Sequence, residues 1–451
     1  MIVSVRRIAL AATITVARLS FASAQSPSSP SLPSRLSDSA FWNLFAKASE
    51  EGGSFPSENF ISNERTYQQP IPYLQRTVRA GDVYLGVGPE QNFTYIANLK
   101  PSVAVIFDIR RQNALAHLMY KALFELSPTR AEFLSRLFSR RLPDSLTAKS
   151  NATVEELFGA IAAASANDSL FQRNLDAMYE RLTKTHAFAL DSADLRSIRH
   201  VYVTFFEAGT NINYNYRPGF AGLSTVYPTL GELQSLTNAA GERMAFLADE
   251  QRYAFIRTME LRNLIVPVVG DFAGPKAIRA VAAWLKERNA NVGAFYLSNV
   301  EQYLFRSTED ASHFYENVAA LPTDTTSTFI RSVPPQGPLV AMNVGPVPSQ
   351  IFYSVQVVDS GKVSTVIVTR DSAGQRVTTR TVDSSANRPL SPLPVFRSLQ
   401  PPSGAFSLRT MMGGTLYSGV APIAQTLRAY RAGTLDSYPA VIGMTKVDGW
   451  K

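Results

Sequence analysis

The sequence predicts an α/β fold with a mostly parallel sheet, a helical insertion and a C-terminal β-rich region. Three observations lead to this prediction. Apolar runs such as "LIVPVV" lack polar alternation and are separated by amphipathic helical segments, a pattern typical of parallel strands covered on both faces. One apolar run ends in a G-x-G turn. Beyond about residue 335, polar and apolar residues alternate between turn signals, as in an antiparallel meander.

Composition limits the classes of protein that fit. The chain has 451 residues, enough for two or three domains, and 45% of them are hydrophobic, which predicts a substantial buried core. Its net charge of +8 includes no dense basic run with aromatic residues, so we expect no nucleic-acid partner. The absence of cysteine excludes disulfides and thiolate sites, and the four histidines have no metal-ligand spacing. We therefore expect no metal.

The N-terminus has the three parts of a signal peptide over residues 1–24. A basic "MIVSVRR" is followed by an apolar run and by "ASA" before Gln25. The alternative is a membrane anchor, but the apolar run is short and Arg18 interrupts it. We expect an exported protein, periplasmic or secreted, with no stable membrane anchor after cleavage. Residues 25–36 form a Ser/Pro-rich linker.

The remaining chain divides into two regions. We predict an α/β domain over residues 37–330, with a helical insertion around 128–195, and a β-rich region over 335–451. Within the domain we predict helices at 89–99, 112–126 and 250–263, strands at 200–207, 264–271 and 292–300, and a Tyr/Gly/Pro-rich binding loop at 212–230. The β-rich region is expected to pack on the domain or to bind a protein partner.

The stretch "VYLGVGPEQNFTYIANLKPSVAVIFD" is the strongest functional signal. Its first strand ends at Gly86 and Gly88, which permit a tight turn and a close approach by a ligand. The positive end of the following helix faces whatever lies over that turn. The second strand ends at Asp108, 20 residues after Gly88, the distance at which an acidic residue reaches ribose hydroxyls. This pattern predicts a Rossmann-like, nucleotide-binding unit.

One difference from the dinucleotide-binding fingerprint restricts the class of ligand. Gln91 stands where the dinucleotide fingerprint has its third glycine, which disfavours a pyrophosphate. Over residues 78–306 the chain resembles the class I S-adenosylmethionine (SAM)-dependent methyltransferase-like superfamily. The segments "GVGPEQNFTYIA", "DIRRQN" and "YKALFE" also resemble those of an uncharacterised bacterial family of methyltransferase-like proteins. The resemblance implies SAM as cofactor, bound through Gly86, Gly88, Glu90, Gln91 and Asp108.

Two alternatives remain open at this turn. A G-x-G turn also serves to pack a strand against a helix, and Asp108 could cap the next helix or pair with Arg110 or Arg111. The sequence does not choose between these structural roles and a ligand site.

Further polar candidates lie at other strand ends. Glu64, in "FISNE", precedes the first strand in a segment that could fold over the glycine turn, and Asp271 follows a buried strand. If the protein is a methyltransferase, either carboxylate would orient the nucleophile. Ser298 and Asn299 end another strand and could face a substrate. The alternatives are a carboxylate satisfying backbone amides for Glu64, a helix cap for Asp271, and a turn for the last pair.

These observations lead to two functional hypotheses. The first is an exported, methyltransferase-like protein that binds SAM, or another nucleoside-type small molecule, at the Gly86–Gly88 turn, with an unspecified acceptor. The second is an exported ligand-binding or scaffold module that retains the fold without methyl transfer. The second hypothesis arises because SAM is made in the cytoplasm, whereas residues 1–24 predict export.

Overall fold

The structure is a computed structural model that describes residues 31–147, 149, 151–216, 227–334 and 416–447, and the backbone of three strands between 351 and 383. The predicted signal peptide, the start of the linker, the centre of the loop predicted at 212–230 and much of the region beyond 335 lie outside the described residues.

The described strands form two sheets. In chain order they are β1 (Val83–Val87), β2 (Ala104–Asp108), β3 (Ile265–Val269), β4 (Val292–Ser298), β5 (Thr328–Val333), β6 (Ile351–Asp359), β7 (Lys362–Arg370), β8 (Thr381–Asp383) and β9 (Tyr417–Pro422). The larger sheet has the order β3-β2-β1-β4-β5-β9; β1 to β5 are mutually parallel, and β9 is antiparallel to β5. The predicted mostly parallel α/β sheet is confirmed, and its 3-2-1-4-5 order is Rossmann-like.

Helices flank this sheet. They are α1 (Asp38–Ala48), α2 (Ile71–Thr77), α3 (Gln91–Leu99), α4 (Arg111–Leu126), α5 (Arg130–Phe138), α6 (Asp144–Thr147), α7 (Val154–Ala163), α8 (Asp168–Glu180), α9 (Ser192–Ala208), α10 (Leu230–Ser235), α11 (Glu250–Leu261), α12 (Ala277–Lys286), α13 (Val300–Leu304), α14 (Thr308–Ala320), α15 (Ile423–Arg431) and α16 (Tyr438–Met444). The helices α5 to α11 lie between β2 and β3 in the chain and form the insertion.

The apolar runs that predicted buried strands do form strands, and these are buried on both faces. Every residue of β2 and β3 is buried, and their register pairs Val105 with Val266 and Phe107 with Val268. Each fully buried Val or Ile side chain contributes roughly 1.5–3 kcal/mol. The sheet therefore anchors the strand ends that the candidate site uses.

An aromatic cluster holds the first crossover helix in place. The Phe93 ring of α3 lies 5.1 Å from Phe124 of α4 and 5.5 Å from Phe246. Phe124 in turn stacks on Phe133 of α5 at 4.6 Å. All four side chains are completely buried or nearly so. Since such pairs contribute beyond their buried area, the cluster fixes the position of α3, and with it the glycine turn.

The strand predicted at 200–207 is wrong. This segment lies within α9, which begins with a capping box between Asp191 and Asp194. Ile198, Val201 and Phe205 recur at helical spacing and are buried on one face. Helical periodicity and the cap outweigh the β-branched and aromatic content of "HVYVTFFE". The inserted helices consequently extend well past residue 195.

The strands beyond residue 335 belong to two different sheets. The strands β6, β7 and β8 form the antiparallel hairpin region that alternation predicted, and the pairing of β6 with β7 runs from Ile351–Arg370 to Asp359–Lys362. The later segment contains helices as well as a strand. Its strand β9 pairs with β5 of the main sheet, and α15 and α16 follow it. Val420 also bridges to Lys446, which covers the edge of β9.

Among the residues that the structure describes, no helix combines the length and apolar character needed to span a bilayer. Nor do the described His, Asp and Glu side chains form a group of three or more suited to a metal ion.

Candidate functional site

The order of the main sheet reverses between β1 and β4. In open α/β sheets, ligands bind at the carboxyl ends of the strands beside such a reversal. The glycine turn that follows β1 lies at this edge, and so do the ends of β2 and β4. The candidate site is therefore assembled from these three strand ends and from the chain that covers them.

The two glycines of the turn have different surroundings. A Cβ at Gly86 would overlap the Asn92 side chain, whose Nδ2 donates to Val87 O and Pro89 O at 2.9 and 2.7 Å. Gly86 thus allows α3 to pack on β1. Gly88 has a φ of +76°, which favours glycine, and no heavy atom of the described residues lies within 4 Å of the position of its missing Cβ.

A buried carboxylate occupies the reversal point. Glu64 is 1% exposed, and its Oε1 accepts hydrogen bonds from the Tyr296 hydroxyl at 2.8 Å and from the Ser298 hydroxyl at 2.5 Å. Gln91 Nε2 donates to Glu64 Oε2 at 2.9 Å and to the Tyr296 oxygen at 3.0 Å. The predicted site residues Glu64, Gln91 and Ser298 are therefore in direct contact. The glutamate accepts from side chains here, rather than from backbone amides.

Glu90 is a second buried carboxylate beside the first. It is 1% exposed, and its Oε2 accepts from the Ser62 amide at 3.1 Å. Burial, reinforced by the negative charge of Glu64, raises the pKa of Glu90 to about 8. Among the described residues, no Lys, Arg or His forms an ion pair with either carboxylate. Glu90 is thus predominantly protonated at neutral pH.

Ser298 has a strained backbone. Its φ is +50°, and the pairing between β4 and β5 shifts in register between Tyr296 and Ser298. Such a conformation costs roughly 1–3 kcal/mol for a residue other than glycine and is often found at functional sites. The shift directs the serine hydroxyl toward Glu64. Asn299, in contrast, precedes the following short helix and donates to Gln302 Oε1 at 3.1 Å, so it lies beside this group rather than in it.

Asp108, the predicted ribose ligand, is engaged by Arg110. Its Oδ1 accepts from the Arg110 amide at 2.8 Å and from Nε at 3.2 Å, and its Oδ2 accepts from Nη2 at 3.1 Å. Both side chains are almost fully buried. Arg110 Nη1 also donates to the carbonyls of Ser57 and Glu58. The alternative of pairing with Arg110 is the arrangement present in this conformation.

Asp271 lies apart from the other candidates. It follows β3, which is separated from β4 by β2 and β1. Its Oδ1 accepts from the Ala273 amide at 2.9 Å, so it stabilises its own loop. The amides at the start of α12 are instead bound by Glu50, whose Oε1 lies 2.7 Å from Ala277 N and 2.8 Å from Lys276 N. The structure does not bring Asp271 together with Glu64.

Residues 49–66 cross this whole edge of the sheet, and we call them the strap. The strap contacts the ends of β3 and β2 through Glu50 and Gly53, the start of α3 through Ser62, and β9 through Thr66. The sequence indicated that the segment containing Glu64 could fold over the turn. It also offered Arg110 as a partner of Asp108, but it indicated neither Ser62 nor Tyr296, because no local pattern distinguishes these two residues.

The closed strap leaves little space beneath it. A cavity of about 10 Å³ lies between the strap and the start of α4, lined by Glu58, Asn59, Phe60, Gln112, Asn113, Ala116 and Val201. Such a volume holds about one water molecule. An open surface groove of about 510 Å³ lies elsewhere, between α8 and α9. A nucleoside therefore needs the strap to move.

Comparison with known families adds one result. Residues 59–381, more than half of the chain, match the family described as a domain of unknown function (DUF7790). The chain belongs to this family. The matched residues include Glu64, the glycine turn, Asp108 and Ser298, but not the first ten residues of the strap. Comparison with curated proteins gave no match.

Proposed function

We propose that this protein binds a nucleoside-type ligand, with SAM as the first candidate, at the carboxyl ends of β1, β2 and β4. It is methyltransferase-like if it uses the bound SAM. The observation that carries the proposal is the buried polar group formed by Glu64, Glu90, Gln91 and Ser298 where the strand order reverses. Open α/β sheets bind their ligands at such points.

The charge of this group favours a positively charged ligand. The negative charge of Glu64 lies beside the protonated Glu90 and has no basic partner among the described residues. An uncompensated buried carboxylate is costly, and a nearby cation lowers that cost. SAM carries a positive sulfonium, so its binding would compensate the charge that the protein leaves unpaired.

Each candidate then has a distinct role. Gly88 has open space beside it for the ligand, and Asp108 would hold the ribose hydroxyls once Arg110 releases it. Glu64 would orient the acceptor, whose nucleophilic atom forms a bond to the methyl carbon while the carbon–sulfur bond breaks. S-adenosylhomocysteine then leaves, and the acceptor loses its proton to solvent. Positioning supplies most of the rate in such a reaction. Asp271 lies outside this group, so we assign it no part.

Isothermal titration calorimetry with SAM and S-adenosylhomocysteine tests the proposal. We expect micromolar dissociation constants for the wild type, or about −8 kcal/mol of binding free energy. Asp108→Asn should weaken binding at least tenfold, or by about 1.4 kcal/mol. The matched control is Asp271→Asn, because Asp271 also follows a strand but lies away from the turn. Absence of heat for the folded wild type with both ligands would overturn the proposal.

A specific observation favours the second candidate, a ligand-binding or scaffold module without methyl transfer. Both carboxylate oxygens of Asp108 are already occupied by Arg110, and the cavity between the strap and the start of α4 has a volume of about 10 Å³. This reading expects that neither SAM nor S-adenosylhomocysteine raises the melting temperature. A ligand that raises it by several degrees, followed by methyl transfer to any acceptor, would exclude the scaffold.

We also propose that the protein is exported to the periplasm or the medium, on the basis of the signal-like residues 1–24. The mature chain should begin at Gln25 when it is isolated from the extracytoplasmic fraction and its N-terminus is sequenced. A protein that starts at Met1 and is found in the cytosol would contradict this proposal. A protein partner for the antiparallel sheet of β6 to β8 stays a prediction.

A further inference from the structure

The strap has two halves with different burial. Residues 60–66 are mostly buried, and Phe60 and Ile61 belong to the core. Residues 51–59 are exposed or half-buried along their whole length. Segments with few buried contacts open locally at a small fraction of the cost of global unfolding. The exposed half, which we call the flap, is therefore the part of the strap that can move by itself.

Both ends of the flap have residues suited to a hinge. Gly52 and Gly53 lie at the first end, where a Cβ on Gly53 would overlap the Ile109 side chain at 2.6 Å. Only glycine permits the strap to lie this close to the end of β2. At the other end, Asn59 has a φ of +49°, an uncommon conformation that asparagine tolerates. Fixed anchors flank these hinges, since Glu50 binds the start of α12 and Phe60 is buried.

Arg110 is the side chain that joins the flap to Asp108, while Phe55 of the flap also packs on Tyr303 at 5.2 Å and Gln112 donates to the Glu58 carboxylate. Arg110 donates from Nη1 to the carbonyls of Ser57 and Glu58, and its guanidinium lies 5.9 Å from the centre of the Phe55 ring. The same guanidinium donates from Nε and Nη2 to the two oxygens of Asp108. Because one planar group makes both sets of contacts, displacement of Arg110 would release the flap and free the Asp108 carboxylate together.

We propose that residues 51–59 form a flap that opens over Asp108, and that Arg110 is its latch. As a gate for the nucleoside-type ligand, this inference rests on the proposed function; as a local opening of the chain, it does not. Opening the flap uncovers the end of β2 and the cavity at the start of α4, while Glu64 and Ser298 stay in place.

Amide hydrogen exchange on the full chain without ligand tests the latch. The Gly53 amide donates to Ile109 O at 2.7 Å, so its exchange reports flap opening. We expect Arg110→Gln to accelerate exchange in residues 51–59 by about tenfold or more, as expected for loss of charge-assisted hydrogen bonds. The flap should remain faster than β2 in both proteins, because the flap opens locally whereas buried strands exchange mainly through global unfolding. The matched control is Arg111→Gln, since Arg111 binds Asp194 of α9 instead of the flap.

Exchange of the flap at the slow rate of β2 in both wild type and Arg110→Gln would overturn the proposal. Equal acceleration by Arg110→Gln and Arg111→Gln would overturn it too, because the effect would then be general loosening of α4. This experiment needs no ligand. A wild type that fails to bind SAM therefore removes the proposed function while the flap is still judged by exchange.

A covalent lock provides a second measurement. A Cβ built on Gly52 lies 3.4 Å from Arg111 Cβ, close to the separation found in disulfides. Since the chain has no cysteine, the double variant Gly52→Cys/Arg111→Cys can form one disulfide within the monomer. The oxidised variant should show flap exchange at least tenfold slower than its reduced form, and SAM binding that returns on reduction. The single variant Arg111→Cys should respond to neither treatment. Identical flap exchange in the oxidised and reduced forms would contradict flap opening.

Discussion

Gln91 Nε2 donates a 2.9 Å hydrogen bond to Glu64 Oε2, although 27 residues separate the two side chains in the sequence. This bond joins the strap to the first turn of α3. Tyr296 and Ser298 of β4 donate to the other oxygen of the same carboxylate. The strap, the crossover helix and the strand at the reversal point thus meet at one buried polar group. Substitutions within this group should therefore lower the stability of the protein.

Glu64→Ala should destabilise the protein by about 3 kcal/mol, because it leaves three buried donors without their acceptor. The free energy of unfolding, measured in urea at pH 7, checks this value. Glu58→Ala is the matched control from the same strap, since its carboxylate is 46% exposed. We expect that control to cost less than about 0.5 kcal/mol. Equal losses of unfolding free energy in the two variants would mean that the hydrogen bonds of the buried group do not stabilise the protein.

The raised pKa of Glu90 predicts a pH dependence. The folded protein retains a proton on this carboxyl up to about pH 8, whereas the unfolded chain loses it near its ordinary value of 4.5. More protons are bound in the folded state across this window, so stability falls as the pH rises from about 4.5 to 8. The total loss from this group is several kcal/mol, with a slope of at most about 1.4 kcal/mol per pH unit.

Glu90→Gln should flatten this dependence, because the amide carries no proton to lose. Urea unfolding at pH 5, 6, 7 and 8 gives the slope for each protein. Glu260→Gln provides a second site of the same kind, since burial also raises the pKa of Glu260 to about 8. The control is Glu180→Gln, an exposed carboxylate. A wild type whose stability rises steadily from pH 5 to 8 and matches Glu90→Gln would contradict the buried, protonated state.

Asp108→Ala should cost about 3–5 kcal/mol, because it leaves the Arg110 guanidinium buried without its counter-charge. Replacing both partners with apolar residues, in Asp108→Leu/Arg110→Met, should cost clearly less than the sum of the single changes. The single variants Asp108→Leu and Arg110→Met complete the cycle with the wild type and the double variant, and thermal and chemical denaturation measures all four proteins. The exposed pair Lys149–Glu156 is the reference, where Lys149→Ala should cost less than about 1 kcal/mol. Strict additivity at Asp108 and Arg110 would show that the pair is not coupled.

Ser298 lets backbone strain be separated from hydrogen bonding. At a φ of +50°, Ser298→Gly relieves strain but loses the bond to Glu64, so the two effects should largely cancel, within about 1 kcal/mol. Ser298→Ala loses the bond and keeps the strain. Ser298→Val adds a β-branched side chain and should be the least stable, by about 2 kcal/mol or more relative to glycine. Melting temperatures should fall in the order glycine, alanine, valine, and the reverse order would refute the strained geometry.

The fold could be predicted because its signals are local. Buried runs such as "LIVPVV" and "VGAFYLS" have no polar face, so a strand covered on both sides is the simplest way to bury them. The helix at 111–126 followed from its periodicity. The segment 200–207 misled because β-branched and aromatic residues favour a strand locally, while the burial of Ile198, Val201 and Phe205 on one face is decided by their partners in the inserted helices.

The sequence by itself determined that a glycine turn and an acidic strand end lie at one edge of a parallel sheet, because covalent order and strand direction place them there. Only the tertiary structure decided which side chains satisfy one another. Gly86 packs against the Asn92 side chain, Asp108 accepts hydrogen bonds from Arg110, and Glu64 accepts hydrogen bonds from three side chains. Partners so far apart in the chain meet through the folding of the strap over the sheet, and no local pattern encodes the shape of that contact.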